Sequence, residues 1–301
     1  MDSALDTYRY ALIDFLKLRY GLNGSIQSDI PCLSFNIETA PTEFKSIMYE
    51  PCLCIIIQGS KAVGFGNQMY KYDPYKYLLA STHIPSDIKI LEASKELPYL
   101  SLTIKFTLED IYEVLKNTHP EKLKFEYKSE KGLFFDTLHV RLYDPILRLV
   151  KLLDTPKEDI EFLSPLIIKE ILYILVNDKS GYFINKFAME GTTSNKIVKA
   201  ITEIKNNFSE KLNIKKLAKL TEMSESSLYQ NFKTITSLSP IQFQKKLRLE
   251  EAKQMLSVRK IDISEVAFLV GYESPSQFSR EYSRMFGVPP SEHLKALQER
   301  I

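Results

Sequence analysis

The sequence predicts two unlike parts: an α+β front half, built on a β-sandwich or small barrel with flanking helices, and an all-α tail with two helix-turn-helix units. Three observations predict it. Short β-rich runs punctuated by Gly, Asn, Asp and Pro recur between Ile30 and Phe106. From Asn195 onward the apolar spacing is helical throughout. Within that tail, LAKLTEMSESSLYQNFKTITSLSP (217–240) recurs as VAFLVGYESPSQFSREYSRMFGVPP (266–290). A length of 301 residues also suits two domains better than one.

Taken in order, residues 1–20 form a helix, because Leu5, Tyr8, Leu12, Phe15, Leu16 and Leu18 make an apolar stripe. Strands follow at CLCIIIQ (52–58), KAVGF (61–65), QMYKY (68–72), YKYLLAS (75–81), DIKILEA (87–93) and YLSLTIKF (99–106), with Gly66-Asn67 as a hairpin turn. LEDIYEVLKN, after Thr107, begins a helix with acids in its first turn. PILRLVKLLD (145–154) and SPLIIKEILYILVN (164–177) read as helices with a proline near each start, serving as core or as a dimer surface. Met189–Ser194 is small and polar, the composition of a linker. The domains are therefore expected at 1–190 and 195–301.

The tail repeat has a definite geometry. Ser224, Leu228, Phe232 and Pro240 recur 50 positions later as Ser274, Phe278, Tyr282 and Pro290, whereas Ala218 recurs 49 later as Ala267. Each copy, about 214–236 and 263–286, is then a short helix with a small Ala, a turn, a Ser N-cap and a second helix, the second copy having one more turn residue. Asp262 with Glu265 has the spacing of a capping box, and Gly287 ends the helix that Ser274-Pro275 begins. At about 100° per residue, Leu228 and Phe232 point inward, so Ser226, Gln230 and Lys233 point outward with Tyr229 on the flank. In the second copy Phe278 and Tyr282 point inward; Ser276, Arg280, Ser283 and Arg284 point outward with Gln277 flanking. Gln and Arg can pair bidentately with adenine and guanine edges, while Lys233 and Arg284 are better placed for phosphates. The long helix at 239–257 spans about 28 Å, against ~34 Å between successive major-groove windows on one face of a duplex.

Charge agrees with a polyanion partner for the tail. From Asn195 onward there are 18 Lys+Arg against 12 Asp+Glu; residues 1–194 have 22 against 26. The N-terminus lacks the basic and apolar regions of a signal peptide, and no apolar run is long enough to span a bilayer, so a soluble cytoplasmic protein without a membrane partner is expected. Three cysteines without a secretion signal imply free thiols.

The stretch GYESPSQFSREYSRMFGVPP, together with MSESSLYQNFK and SPIQFQKKLRLEEAKQML, resembles the two-headed helix-turn-helix domain of the AraC/XylS transcription regulators over about 195–298. That resemblance implies seven helices, a recognition helix in each half, and Gln277 and Arg280 as base readers. YEPCLCIIIQGSKAVGFGNQMYKYDPYKYLLAS (49–81) with PYLSLTIKF (98–106) is similar to the N-terminal domain of one branch of these regulators. It implies a cupin-like barrel that binds a small-molecule effector, followed by helices that dimerise. Promoter DNA, RNA polymerase, an unidentified effector and a second copy of the chain are the partners expected.

No enzyme, metal or cofactor is expected. His83, His119, His139 and His293 are scattered without an H-x-H pair, and the chain has no Gly-rich phosphate loop, G-x-S-x-G or H-E-x-x-H motif. Cys52 and Cys54 would share one strand face, either as small buried hydrophobes or as thiol sensors of oxidants and electrophiles, with Lys61 able to lower a thiol pKa if near. Tyr70, Tyr72, Tyr75 and Tyr77 alternate along strands, as half-buried packing or as one wall of an effector pocket.

Overall fold

The apolar stripe at the N-terminus forms helix α1 (Ser3–Tyr20), which buries Leu5, Leu12, Ile13 and Leu16. A computed structural model describes residues 3–21, 24–116, 118, 131–258 and 261–298. After α1 come strands β1 (Gly24–Gln27), β2 (Leu33–Glu38), β3 (Lys45–Tyr49), β4 (Cys52–Gln58), β5 (Ser60–Phe65), β6 (Gln68–Tyr72), β7 (Lys76–Ala80), β8 (Ile84–Glu92) and β9 (Tyr99–Lys105). Helix α2 (Leu108–Leu115) starts from a capping box between Thr107 and Asp110, and β10 (Leu133–Thr137) returns to the sheet.

The expected cupin-like barrel is not what forms. The strands make two antiparallel sheets, β1-β2-β9-β4-β7-β10 and β3-β8-β5-β6, and neither closes on itself. β1 and β10 edge the first; β3 and β6 edge the second. The chain leaves the first sheet at Gly59, where φ is +83° and an added Cβ would lie 2.3 Å from the Glu92 carbonyl oxygen. Register shifts at Ile56/Gln58 and Ser60/Lys61 bracket that glycine. Bulges on both sides of a left-handed residue redirect the strand, so β5 begins a new sheet rather than extending the old ladder. Side chains from both sheets feed the core: Cys54 and Tyr99 from the first, Tyr49, Lys61 and Tyr72 from the second. β4 is buried from Cys52 through Ile57, with α1 packed against it.

Helices α3 (Val140–Lys151), α4 (Lys157–Val176) and α5 (Ser180–Ala188) complete the front part. Pro145 and Pro165 lie inside α3 and α4 rather than at their starts. The true beginnings are marked by extended residues, His139 and Pro156, and in α4 by Glu158 and Asp159 in the first turn. The tail contains α6 (Thr193–Asn206), α7 (Ile214–Leu220), α8 (Glu225–Thr236), α9 (Pro240–Val258), α10 (Ile263–Leu269), α11 (Pro275–Phe286) and α12 (Pro290–Gln298). Among the described residues, no helix is long and apolar enough to cross a membrane.

The two parts share a seam. The Gly132 N–H donates to the Ile235 carbonyl at 3.0 Å, the Lys205 ammonium donates to His83 Nε2 at 2.7 Å, and Lys246 stands 3.9 Å from Asp87. One apolar core runs from Leu5 to Leu247 across both parts, while Leu249, Val266, Phe278 and Tyr282 belong to a separate core. Burial, and then the Lys205 charge, push His83 down from 6.5 to about 4. The unfolded chain takes up this proton first, so the stability the neutral ring contributes is complete above about pH 6.5 and is lost as pH falls toward 4. Urea melts at stepped pH are expected to show a loss of up to about 3 kcal/mol over that interval, which His83→Gln should largely abolish.

Candidate nucleic-acid interface

Each tail copy is set by the same local chemistry. Asn213 caps α7 by accepting from the Lys216 N–H, and Asp262 caps α10 by accepting from the Ser264 N–H. The Ala218 carbonyl accepts the Met223 N–H at 3.0 Å, and the Ala267 carbonyl accepts the Tyr272 N–H at 2.9 Å, closing equivalent turns. Both alanines are buried. Glu222 at φ 51° and Gly271 at φ 88° turn the corners. The Ser224 and Ser274 hydroxyls then accept from the Ser227 and Gln277 N–H groups to start α8 and α11. Left-handed Ser237 and Gly287 end these helices.

The inward residues Leu228, Phe232, Phe278 and Tyr282 are fully buried. Ser226, Gln230 and Lys233 are exposed on α8, with Tyr229 half-buried on the flank. Ser276, Gln277, Arg280 and Arg284 are exposed on α11; Ser283 is half-buried and donates to the Ser279 carbonyl. The seam touches α8 at Ile235, α9 at Lys246, and α11 where it meets β3, while the outward residues of α8 and α11 remain exposed.

Two supporting groups escaped the sequence reading. The Gln277 amide donates to Glu281 at 3.3 Å, and Glu281 also receives Lys245 at 2.9 Å and the Tyr272 hydroxyl at 2.8 Å. Partial burial opposes ionisation of Glu281, but these donors hold its carboxyl below the ordinary value. The i, i+4 spacing of Gln277 and Glu281 was the available signal. The second is Arg248 on α9. Its Nε donates to the Phe208 carbonyl at 2.7 Å, Nη1 to Gly271 at 2.7 Å, and Nη2 to Ser209 and Glu210 at 3.1 and 2.9 Å. One guanidinium thereby ties the loop before the first head to the turn of the second.

The family described as "AraC-type transcriptional regulator N-terminus" matches residues 29–182, and a "Helix-turn-helix domain" family matches 217–296. The chain belongs to the AraC-type transcriptional regulators. It is 36% identical over 98 residues to the raffinose operon transcriptional regulatory protein RafR of Pediococcus pentosaceus, a match covering 33% of this chain and 35% of that protein. The Msm operon regulatory protein of Streptococcus mutans is 21% identical over 217 residues, covering 71% and 74% of the two chains. Among solved structures, unsaturated fatty acid bound ToxT of Vibrio cholerae has the same overall fold at a TM-score of 0.60, with 13% identity over 91% of this chain and 96% of that one.

In this regulator's front part, the Cys52 and Cys54 sulfurs lie 3.6 Å apart on one buried face of β4, and Cys54 lies 3.5 Å from the Thr103 hydroxyl. The bond with Cys52 and the Lys61 charge together hold the Cys54 thiol below its ordinary pKa, while Cys52 is pushed up. The tyrosine stripe is divided between the two sheets. Tyr70 and Tyr72 are on β6 in the second sheet, Tyr77 on β7 in the first, and the Tyr75 hydroxyl donates to Asp6. Tyr72 is buried; Tyr70 stacks on Phe135 at 5.0 Å and its hydroxyl donates to Gln68. His139 contacts Asp178 at 2.7 Å and His293 contacts the Tyr282 hydroxyl at 2.9 Å, whereas His119 lies outside the described residues.

Proposed function

We propose that this chain is a sequence-specific regulator of transcription that binds promoter DNA through residues 195–301 and answers a small-molecule effector through residues 1–190. The observation that carries the reading is the pair of Ser-capped helices, α8 and α11, whose outer faces are exposed and rich in Gln, Lys and Arg. Ser226, Tyr229 and Gln230 read one groove with Lys233 on phosphate; Ser276, Gln277 and Arg280 read the next with Arg284 on phosphate. The effector biases front-domain arrangements that place the heads well or badly on their sites. The fatty acid bound in ToxT supports a small ligand in a chain of this fold. Exposed Phe162, Leu166 and Tyr173 on α4 suit a homodimer contact, and RNA polymerase is the machinery such a regulator acts on.

Selection of bound duplexes from random oligonucleotides tests the reading; no sequence preference would end it. On the selected site Arg280→Ala is expected to lose ~1–3 kcal/mol of binding, with scrambled DNA little affected. Lys233→Ala should weaken both duplexes alike and reduce the salt slope by about 1. A second reading, a thiol response to electrophiles, is favoured by the 3.6 Å approach of Cys52 and Cys54. It is lost if Cys54→Ser leaves the response to every electrophile unchanged.

A further inference from the structure

Between the two sheets lies a charge that the DNA-binding reading does not use. Lys61 on β5 is only 7% exposed, and among the described residues no carboxylate pairs with it. Its ammonium instead stands over the rings of Tyr49 and Tyr72, 5.8 and 5.6 Å from their centroids. Among the described residues, the buried hydroxyls of Tyr49, Tyr72 and Tyr99 have no hydrogen-bond partner. These phenols come from β3, β6 and β9, so both sheets contribute. Burial works to discharge the amine, and the surrounding Tyr72, Tyr99 and Cys54 act the other way, leaving its pKa raised. A lone buried cation beside three unused donors is unfavourable unless something anionic completes it.

We propose that Lys61 with Tyr49, Tyr72 and Tyr99 is the receptor for the head group of a monocarboxylate effector, whose apolar tail lies between the sheets. This rests on the effector-responsive reading above and names its ligand class. One ammonium balances one negative charge; a dianionic phosphate would leave a net charge buried. Phenolic O–H groups donate to the carboxylate oxygens that the ammonium does not reach. By strand pairing, Val63, Phe65, Ile88 and Ile90 lie on the same face of the second sheet as Lys61, giving the tail an apolar bed.

Access and response follow from the same architecture. No ladder joins the two sheets among the described residues, so they can part without breaking strand pairing. The second sheet also touches the tail: Asp87 on β8 faces Lys246 of α9, and His83, just before β8, receives Lys205 of α6. A ligand that shifts this sheet therefore shifts the base of the DNA-binding part.

The full chain is titrated with straight-chain carboxylates from butanoate to dodecanoate and with 4-phenylbutanoate, against octanol and inorganic phosphate, by thermal shift and calorimetry. At least one carboxylate is expected to raise the melting temperature, with no effect of octanol or phosphate. Lys61→Met should weaken that carboxylate at least tenfold. Tyr72→Phe and Tyr99→Phe, which keep the ring, should weaken it several-fold even if the lysine variant does not fold. No shift with any carboxylate, an equal shift with octanol, or unchanged affinity in the tyrosine variants would each overturn the assignment. Binding of the unliganded protein to its selected duplex is measured alongside, so failure of the DNA-binding reading registers separately.

Discussion

Gly271→Ala is expected to destabilise the DNA-binding part by about 3–5 kcal/mol, from backbone strain and overpacking together. Gly271 sits at φ +88°, and an added Cβ would lie 2.1 Å from the Ser209 carbonyl oxygen and 2.7 Å from its carbon. The obstacle is backbone, so it cannot swing away as a side-chain end would. Displacing it also pulls Ser209 and Gly271 from the Arg248 guanidinium that holds both. Gly287 provides the control: its φ of +79° is similar, but nothing lies within 4 Å of its Cβ position. Gly287→Ala should cost only about 1 kcal/mol. Urea melts of both variants decide the matter, since equal losses would mean that the contact with Ser209 contributes nothing.

Phe232→Ala is expected to cost about 3–5 kcal/mol, the usual range for emptying a large core site. Phe232 is fully buried on α8 and meets Phe243 of α9 edge-on, with centroids 5.4 Å apart at 82°. The loss should appear in denaturation and, on the proposed reading of α8, also in DNA binding, because Phe232 packs α8 against α9. Phe232→Leu refills most of the space and should recover more than half of the stability. A leucine variant as unstable as the alanine one would show that ring geometry, not volume, holds α8.

The tail was legible because its periodicity, caps and repeat agree at every level. The offset of 49 between Ala218 and Ala267, against 50 between the serine caps, located the longer second turn that Gly271 occupies. The strands from Cys52 to Lys105 were legible from apolar runs and turn residues. Closure was not, because it depends on which edges find hydrogen-bond partners, and Gly59 with its flanking bulges sends β5 into a second sheet. Helix α5 gives little signal in the sequence, because Gly181 sits in its first turn; burial of Phe183, Ile184 and Phe187 holds it. β10 escaped because LFFDT follows a helical stretch and finds its partner in β7, more than fifty residues earlier in sequence. Arg248 was invisible for a similar reason: its acceptors lie 23 to 40 residues away.

The guanidinium bridge at Arg248 has a mechanical consequence for the duplex. Heads clamped at a common junction have a set pitch, like the jaws of a fixed gauge. Each base pair inserted between their targets rotates the second by roughly 34° about the axis, given about 10.5 base pairs per turn. If the clamp holds on DNA, it is the double helix that twists or bends to fit, and sequences that flex readily between the two contacts are then expected to be occupied first.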